Sequence, residues 1–465
     1  MAVVDSNATS GDAVSRRLQV LHIADPLNPS VGTCGCALIA CADGTSSRQA
    51  RILTHILLIG PAASERLASV AGVSTHDRIS PPHGSQWAGL SAFRRYVRRV
   101  SGSGKIDLVH AWSLRSLSLA TIGLPTTPTV ITLTHGPDSH ESARWLAAVV
   151  TAQSRSARTT ALAISNSVKR EWVQSGVPQA SVHVVRPGID LAHVRHTHRD
   201  TLRKQWSDWA VQHGAASWSD DTQVVGVLAD DVRRLDLLRA ARVLGLSRLA
   251  GPDVAMIVPA GRLKPAYRLV RGLERSDGTA GISAGHFIVD DRIRTEPWNV
   301  LPAVDAALIL GDDTHEPATD SRPRALGLRA LMGTSSSRQV GIGTPRQIET
   351  TSPGALPMLW AAAAGVPIVG EACYAVSEMI ESGHSGLLTI PGDDRGLIRR
   401  LTELRTDAQA HWRLADTARS EAFSFFSPSR YRRDLEIVYE QIVQGQTVDV
   451  PDLPMTGGLA FSGRM

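Results

Sequence analysis

Short apolar runs alternate with segments of helical periodicity along most of the chain, in two successive series. The first series has runs at residues 18–24, 52–59, 106–110, 129–133, 161–164 and 182–185, and the second at residues 224–229, 254–259, 286–289, 306–310 and 366–369. Strands that alternate with helices pair in parallel, and helices then cover both faces of the sheet. The pattern therefore predicts an α/β protein. The 465 residues call for two domains, because one core rarely serves more than about 250–300 residues.

A polar stretch rich in Trp, His and Asp separates the two series. We expect this stretch, residues 199–222, to be a linker that carries one helix. It divides an N-terminal domain at residues 17–198 from a C-terminal domain at residues 223–426. Two doubly wound domains with a cleft between them are the simplest assembly of such halves.

Four further segments lie outside the alternation. Residues 312–350 show little periodicity, which predicts a long loop or insertion in the second domain. Residues 427–444 have the pattern of an amphipathic helix, which we expect to pack back on the N-terminal domain. The two ends, residues 1–16 and 446–465, predict disordered tails.

The composition excludes several classes of protein. A hydrophobic content of 43% with 20% charged residues is that of a folded globular chain. The net charge is +5, but the 49 Lys and Arg residues are spread along the chain and no basic run is interleaved with aromatic residues, so we expect no nucleic acid partner. No apolar run approaches the roughly 20 residues of a spanning helix, and residues 1–16 do not resemble a secretory signal. We therefore expect a cytoplasmic protein.

Three of the four cysteines are clustered as Cys34, Cys36 and Cys41. They are too few to form a disulfide framework in a chain of this length, so reduced thiols are the first interpretation. A Cys-x-Cys pair could bind a metal, but no His or Cys pair lies at finger-like spacing. We expect no metal.

Residues 351–371 combine a short Gly/Pro loop, an alanine-rich helix, a Gly-Val-Pro turn and the start of a buried strand. Backbone N–H groups at the start of a helix form a cradle for phosphate, and the helix dipole adds favourable potential. The predicted binding residues on this loop and helix start are Ser352, Gly354 and Leu356.

This segment resembles the donor site of family 4 retaining glycosyltransferases of the GT-B fold. The resemblance extends in order over roughly residues 18–444, through the stretches 132–136, 163–167, 184–190, 377–380, 386–388 and 391–393. It implies two Rossmann-like doubly wound domains that face a central cleft. It also implies a nucleoside diphosphate sugar as donor, an unidentified acceptor, and no cofactor.

The resemblance also assigns residues in the N-terminal domain. His135 follows a strand at the carboxyl edge of the sheet, where the family's histidine faces the donor sugar, so we expect it to be catalytic. A satisfied turn is the alternative. The loop glycines after the first strand, Gly32 and Gly35, could let the backbone approach the diphosphate, although Gly-x-x-Gly is otherwise an ordinary turn.

Two glutamates of the family are missing from the donor segment. The family carries them on this loop and helix, separated by seven residues, and here Ser352 and Trp360 hold their positions. Indole only donates hydrogen bonds, so Trp360 could stack on a ligand or fill the pocket. Glu349 could replace the lost carboxylate, or be a solvated loop residue. Glu378, further along, is expected to cap or brace its own helix.

The family neutralises the donor diphosphate with an arginine and a lysine after the first strand of its second domain. We expect Arg233, and behind it Arg262, to take this role here. The neighbouring Asp230 and Asp231 would repel a diphosphate unless they point away from it.

A basic helical stretch precedes the third apolar run of the N-terminal domain, with arginines at positions 94, 95, 98 and 99. Many family members touch membranes through a basic amphipathic helix in this domain, so a weak peripheral membrane contact from Arg94 to Arg99 is one interpretation. A solvated helix face is the other.

Three functions are open. The first is a glycosyltransferase that moves a hexose from a nucleoside diphosphate sugar to a glycan, lipid or small-molecule acceptor with retention. The second is a catalytically inactive GT-B pseudoenzyme that acts as a binding or scaffold protein, which the loss of both glutamates favours. The third is a nucleotide-sugar 2-epimerase of the same fold, although the signature residues of that family are not evident.

Overall fold

Two parallel sheets, each covered by helices, account for the strands of the chain that the structure describes. The computed structural model describes residues 17–26, 32–43, 51–61, 63–73, 76–80, 86–101, 105–137, 140–153, 159–194, 199–215, 217–228, 234–249, 253–259, 284–310, 355–372 and 374–450. The expected insertion at 312–350, the expected tail at 1–16 and residues 451–465 of the expected C-terminal tail lie outside these residues. Residues 446–450 are described, and the backbone of Asp449 exchanges two hydrogen bonds with the side chain of Gln441, so the prediction of a disordered tail is wrong for these five residues.

The first sheet has seven strands in the order β3-β2-β1-β4-β5-β6-β7. Its elements are β1 Leu18–Ala24, α1 Gly32–Ala42, β2 Ile52–Ile59, α2 Ala63–Val70, β3 Asp77–Ile79, α3 Gln86–Ser101, β4 Leu108–Ala111, α4 Leu114–Gly123, β5 Thr129–Leu133, α5 His140–Gln153, β6 Thr159–Ala163, α6 Asn166–Gln174 and β7 Val182–Val184.

The second sheet has six strands in the order β10-β9-β8-β11-β12-β13. The remaining elements are α7 Arg199–Gln212, β8 Gln223–Val227, α8 Arg234–Leu249, β9 Val254–Val258, β10 Phe287–Val289, α9 Arg292–Thr295, α10 Pro297–Val300, β11 Ala306–Ile309, α11 Ala355–Ala363, β12 Ile368–Glu371, α12 Tyr374–Met379, β13 Gly386–Thr389, α13 Asp394–Thr406, α14 Ala408–Phe425 and α15 Pro428–Val443.

The inner strands are buried along their whole length because helices cover both faces of each sheet. Every residue of β4, β5, β6, β8, β9 and β11 is buried. In both sheets the strand order reverses between neighbours, at β1 and β4 in the first and at β8 and β11 in the second. Such reversals leave a crevice at the carboxyl ends of the strands, where α/β proteins bind ligands.

Helix α7 occupies the expected linker and is bonded to the second domain. Arg199 and Arg203 both form ion pairs with Asp305, and the Arg199 Nη2 to Oδ1 distance is 2.7 Å. Trp206 donates its indole N–H to Asp290 Oδ2 over 3.0 Å. The linker helix is therefore an integral part of the C-terminal domain.

Helix α15 returns to the first domain at the end of the described chain. Arg430 donates to the carbonyl oxygens of Arg186 and Pro187 over 2.6 and 2.9 Å. A Cβ atom on Gly188 would lie 2.8 Å from Tyr431 Cβ, so glycine is needed for this close approach. The two points at which the chain passes between the domains therefore lie side by side.

Two neutral histidines connect α15 to the centre of the first sheet. His110 Nδ1 lies 2.5 Å from the Tyr439 hydroxyl, and His110 Nε2 lies 2.7 Å from Thr132 Oγ1. Trp112 donates its indole N–H to Nδ1 of His22 over 3.0 Å. Burial lowers the pKa of His22 to about 3. Burial, together with the neighbouring His22, holds the pKa of His110 well below its usual value.

These histidines make the stability of the protein sensitive to acid. Their pKa values are lower in the folded than in the unfolded state, so their contribution is complete above an unfolded pKa of about 6.5 and declines as the pH falls. For His22 the free energy of unfolding should fall by about 1.4 kcal/mol per pH unit between about pH 6.5 and pH 3. Urea denaturation at pH 7.5, 6 and 5 measures this slope.

The matched variants are His22→Asn and His384→Asn. Asparagine at position 22 keeps an acceptor for Trp112 but does not titrate. The dependence of the free energy of unfolding on pH should therefore lose the contribution of one proton, about 1.4 kcal/mol per pH unit. The side chain of His384 is 54% exposed, so its replacement is the control for the loss of an imidazole outside the core. Equal slopes in all three proteins would contradict the assignment.

Candidate active site

Helices that begin at the carboxyl ends of the two sheets contact each other between the domains. Helix α6 follows β6 and contacts α12, which follows β12. Helix α1 follows β1 and contacts α9, and Cys34 Sγ lies 3.7 Å from the carbonyl oxygen of Arg294. The carboxyl edges of the two sheets therefore face each other across a cleft.

His135 lies two residues after the end of β5, at this edge. Its Nδ1 is 2.5 Å from the carbonyl oxygen of Gly136, and a carbonyl only accepts, so Nδ1 carries a proton. The backbone carbonyl of His135 accepts the indole N–H of Trp172, on α6, over 2.7 Å. The ring is thus held at the edge of the sheet, and a catalytic role for it stays a prediction.

An ion pair that the sequence did not indicate lies at the reversal between β1 and β4. Asp25 follows β1 directly and is 4% exposed, and Arg115, in the first turn of α4, donates to its carboxylate over 2.7 Å. Ser113 is the N-cap of α4 and accepts the backbone N–H of Ser116. The only sequence signal was an Asp-Pro pair after an apolar run.

The two glycines predicted to lie in a loop after the first strand lie in a helix, so the predicted loop is wrong at these positions. Helix α1 begins at Gly32, so that Gly32 and Gly35 belong to its first turn. The first backbone N–H groups of a helix have no partner within the helix, so this turn can still offer donors to an anion. A contact of these glycines with a diphosphate stays a prediction.

The donor helix, α11, is largely buried. Leu356 is 6% exposed and Trp360 is 2% exposed. The Trp360 ring centroid lies 4.9 Å from that of Trp298 and 6.5 Å from that of His193. Trp360 therefore fills the core beneath the cleft, and its contact with a ribose stays a prediction. The other predicted donor residues, Arg233, Arg262, Glu349, Ser352 and Gly354, lie outside the described residues.

A buried ionic cluster fixes α8 to the carboxyl end of β12. Glu371 is completely buried. It accepts from Arg239 Nη1 over 2.8 Å and from the backbone N–H of Gly392 over 2.6 Å. Arg239 Nε also donates to Asp394 Oδ1 over 2.9 Å. Burial opposes the charge of Arg239, but its hydrogen bonds to the two carboxylates raise its pKa.

Glu378 bonds to the opposite domain, so the expectation that it caps its own helix is wrong. Its Oε1 accepts the backbone N–H of Asn166 and its Oε2 that of Ser167, each over 2.8 Å. These groups form the first turn of α6. The carboxylate thus occupies two of the donors that a helix start leaves unpaired.

The cysteines of α1 are free thiols. Burial, followed by the charge of Asp25, raises the pKa of Cys36 to about 12. Burial and Asp190 likewise raise the pKa of Cys41 to about 12. Protonated thiols are poor metal ligands, and within the described residues no group of three or more His, Cys, Asp or Glu side chains could hold a metal ion.

The predicted basic helix is α3, and its arginines are exposed at positions 94, 95, 98 and 99. Its apolar residues Phe93, Tyr96 and Val97 are buried in the domain core. Any contact of α3 with a membrane would therefore be electrostatic, because these three apolar side chains face the protein. In the part of the chain that the structure describes, no helix is both long and apolar enough to cross a membrane.

Residues 49–193 match the family model Glycosyltransferase Family 4. Anabaena HepE, solved in complex with UDP and glucose, is similar at 16% identity and a TM-score of 0.59, over 90% of this chain and 98% of that chain. A glycosyltransferase from Rickettsia africae is similar at 13% identity and a TM-score of 0.60, over 92% of this chain and 100% of that chain. Sucrose-phosphate synthase from Thermosynechococcus elongatus is similar at 12% identity and a TM-score of 0.55, over 92% of this chain and 100% of that chain. No curated protein sequence matches the chain.

These structural similarities cover both domains together. Two parallel sheets of the observed strand order, matched over nine-tenths of the chain, give the protein the GT-B fold. The predicted fold class is confirmed. At sequence identities of 12–16%, these similarities establish the fold and do not establish the activity.

The position of Trp360 predicts a large loss of stability when it becomes charged. In the variant Trp360→Glu a carboxylate would be buried against Trp298 and His193, so we expect the free energy of unfolding to fall by about 3–5 kcal/mol. The matched control is Trp412→Glu, because the Trp412 side chain is 73% exposed. It should change stability by less than about 0.5 kcal/mol. Equal denaturation midpoints for the two variants would show that Trp360 is not a core residue.

Proposed function

We propose that this protein is a glycosyltransferase that moves a hexose from a nucleoside diphosphate sugar to a glycan, lipid or small-molecule acceptor with retention. The match of residues 49–193 to the family 4 model carries the proposal. This region includes β5, His135 and α6, which form one wall of the cleft. Solved structures of the same fold include HepE in complex with UDP-glucose.

The two walls of the cleft have different tasks in this proposal. The C-terminal domain binds the nucleotide sugar near the start of α11 and the end of β8. Helix termini and arginines neutralise the diphosphate, so that no metal is required. The N-terminal domain binds the acceptor at the carboxyl ends of β1 and β4, where Asp25 and Arg115 lie.

His135 contributes a hydrogen bond near the transferred sugar. Its Nδ1 donates to the carbonyl oxygen of Gly136, so in the neutral ring Nε2 is an acceptor. Nε2 can then accept a hydrogen bond from a hydroxyl group of the sugar and orient the donor. This role requires the ring to lie at the edge of the sheet with its proton on Nδ1, and the hydrogen bond to Gly136 favours both.

The burial of Trp360 favours a second candidate, an inactive GT-B protein that binds a partner. In the resemblance this position carries a glutamate for the ribose, and here an indole fills the core in its place. A ribose without acceptors would leave hydroxyl groups unpaired, at about 1–3 kcal/mol for each in a closed site. Donor affinity should therefore be low.

Calorimetry separates the two candidates. Titration with the diphosphates of uridine, guanosine and adenosine should show one preferred nucleotide with a Kd weaker than about 10 μM, because each lost hydroxyl contact weakens affinity ten-fold or more. The matching nucleotide sugar is then assayed for transfer or hydrolysis. A flat titration for all three diphosphates at millimolar concentration would reject the transferase and leave the inactive binding protein.

The variant His135→Ala tests the catalytic assignment. We expect transfer or donor hydrolysis to fall by about 10²-fold or more, because a positioned hydrogen bond to the reacting sugar is lost. The melting temperature should change little. His384→Ala, a change at an exposed histidine, is the control and should keep full activity. Normal turnover combined with a large fall in melting temperature would show that His135 is a packing residue.

A further inference from the structure

Glu378 makes hydrogen bonds that join the two domains across the cleft. It lies near the end of α12, and its side chain is 13% exposed. Both carboxylate oxygens accept backbone N–H groups of α6, and Nη1 of Arg186 lies 3.3 Å from Oε1. All of these donors belong to the N-terminal domain, whereas Glu378 belongs to the C-terminal domain.

The chemistry of this contact is that of a charged cap. The start of α6 carries unpaired N–H groups and the positive end of the helix dipole, both of which favour a carboxylate. Ser165 already accepts the N–H of Val168, so Glu378 completes the cap from the other domain. Charge-assisted hydrogen bonds of this kind are about twice as strong as neutral ones.

Arg186 connects this contact to the place where the chain crosses between the domains. Its guanidinium faces Glu378, while its carbonyl oxygen accepts from Arg430 of α15. Three residues later the backbone N–H of Ile189 donates to the carbonyl of Phe426 over 2.7 Å. Two adjacent crossings joined by hydrogen bonds have the geometry of a hinge. We define the hinge as residues 186–190 with residues 426–431.

Helix α12 is short and borders a cavity in its own domain. It has six residues, and next to it lies an apolar cavity lined by Met379, Ile380 and, from α14, Ala422 and Phe425. Side chains beside an unfilled space lose packing partners on that side. Val376 still packs in the core, and the bonds of Glu378 to α6 add contacts on the side of the helix that faces the other domain.

We propose that Glu378 is a closure latch. Its carboxylate, held by the start of α6 and by Arg186, keeps the two domains closed over the cleft, and its release lets them open about the hinge. The latch is independent of the reaction that the cleft supports, because it needs no ligand. It also predicts that salt favours the open form, since ions screen the charges that the latch brings together.

Small-angle scattering and hydrogen exchange on the full chain test the latch. Glu378→Ala should increase the radius of gyration and make the amides of Asn166 and Ser167 exchange roughly ten-fold faster or more. Glu378→Gln keeps one acceptor oxygen without the charge and should lie between the parent and the alanine variant. In the parent protein 1 M NaCl should also increase the radius of gyration, whereas Glu378→Ala should respond less.

The control variant is Glu381→Gln, a neighbouring glutamate whose change should leave both measurements as in the parent. Arg186→Gln is a second route, because it keeps the backbone carbonyl that bonds to Arg430 and should open the cleft partially. If Glu378→Ala does not fold, the radius of gyration of Arg186→Gln tests the latch in its place. An unchanged radius of gyration in every folded variant at positions 186 and 378 would overturn the proposal, whichever way the amide exchange moves.

Discussion

The bond network around Arg430 holds the architecture together. Its guanidinium is buried, which is costly unless each charge has partners, and it donates to Asp434 and to the carbonyls of Arg186 and Pro187. This anchors α15 on the first domain, so that Tyr431 and Tyr439 enter its core. The His110 network and the pairing of the two chain crossings both depend on that position of α15.

The fold could be predicted because parallel strands with two covered faces are continuous apolar runs. The runs near 129–133 and 254–258 coincide with β5 and β9. The short strand β3 escaped notice, since two of its three residues are exposed and it has no apolar run. The start of helix α1 was mistaken for a loop because glycines usually mark turns, and the nearly continuous apolar residues that follow give no helical period.

Site residues were less predictable because their partners are distant in the chain. Glu378 is bonded to residues 211 and 212 positions away. Glu371 lies 132 positions from Arg239, and nothing local to either residue marks the pair. Trp360 occupies a motif position, yet its burial is decided by Trp298 and His193. Motif order therefore located the cleft at the edge of both sheets, while tertiary contacts determined which side chains can reach it.

The route of α15 has a consequence for how the protein is made. Residues 428–443 are translated after every strand of both sheets, yet they supply buried side chains to a domain whose first strand begins at residue 18. On the ribosome the N-terminal domain must therefore emerge with part of its apolar interior uncovered, until the whole C-terminal domain has been synthesised. Its final folding step must wait for the C-terminal domain, and nascent chains that end before residue 428 should recruit chaperones at the surface that α15 later covers.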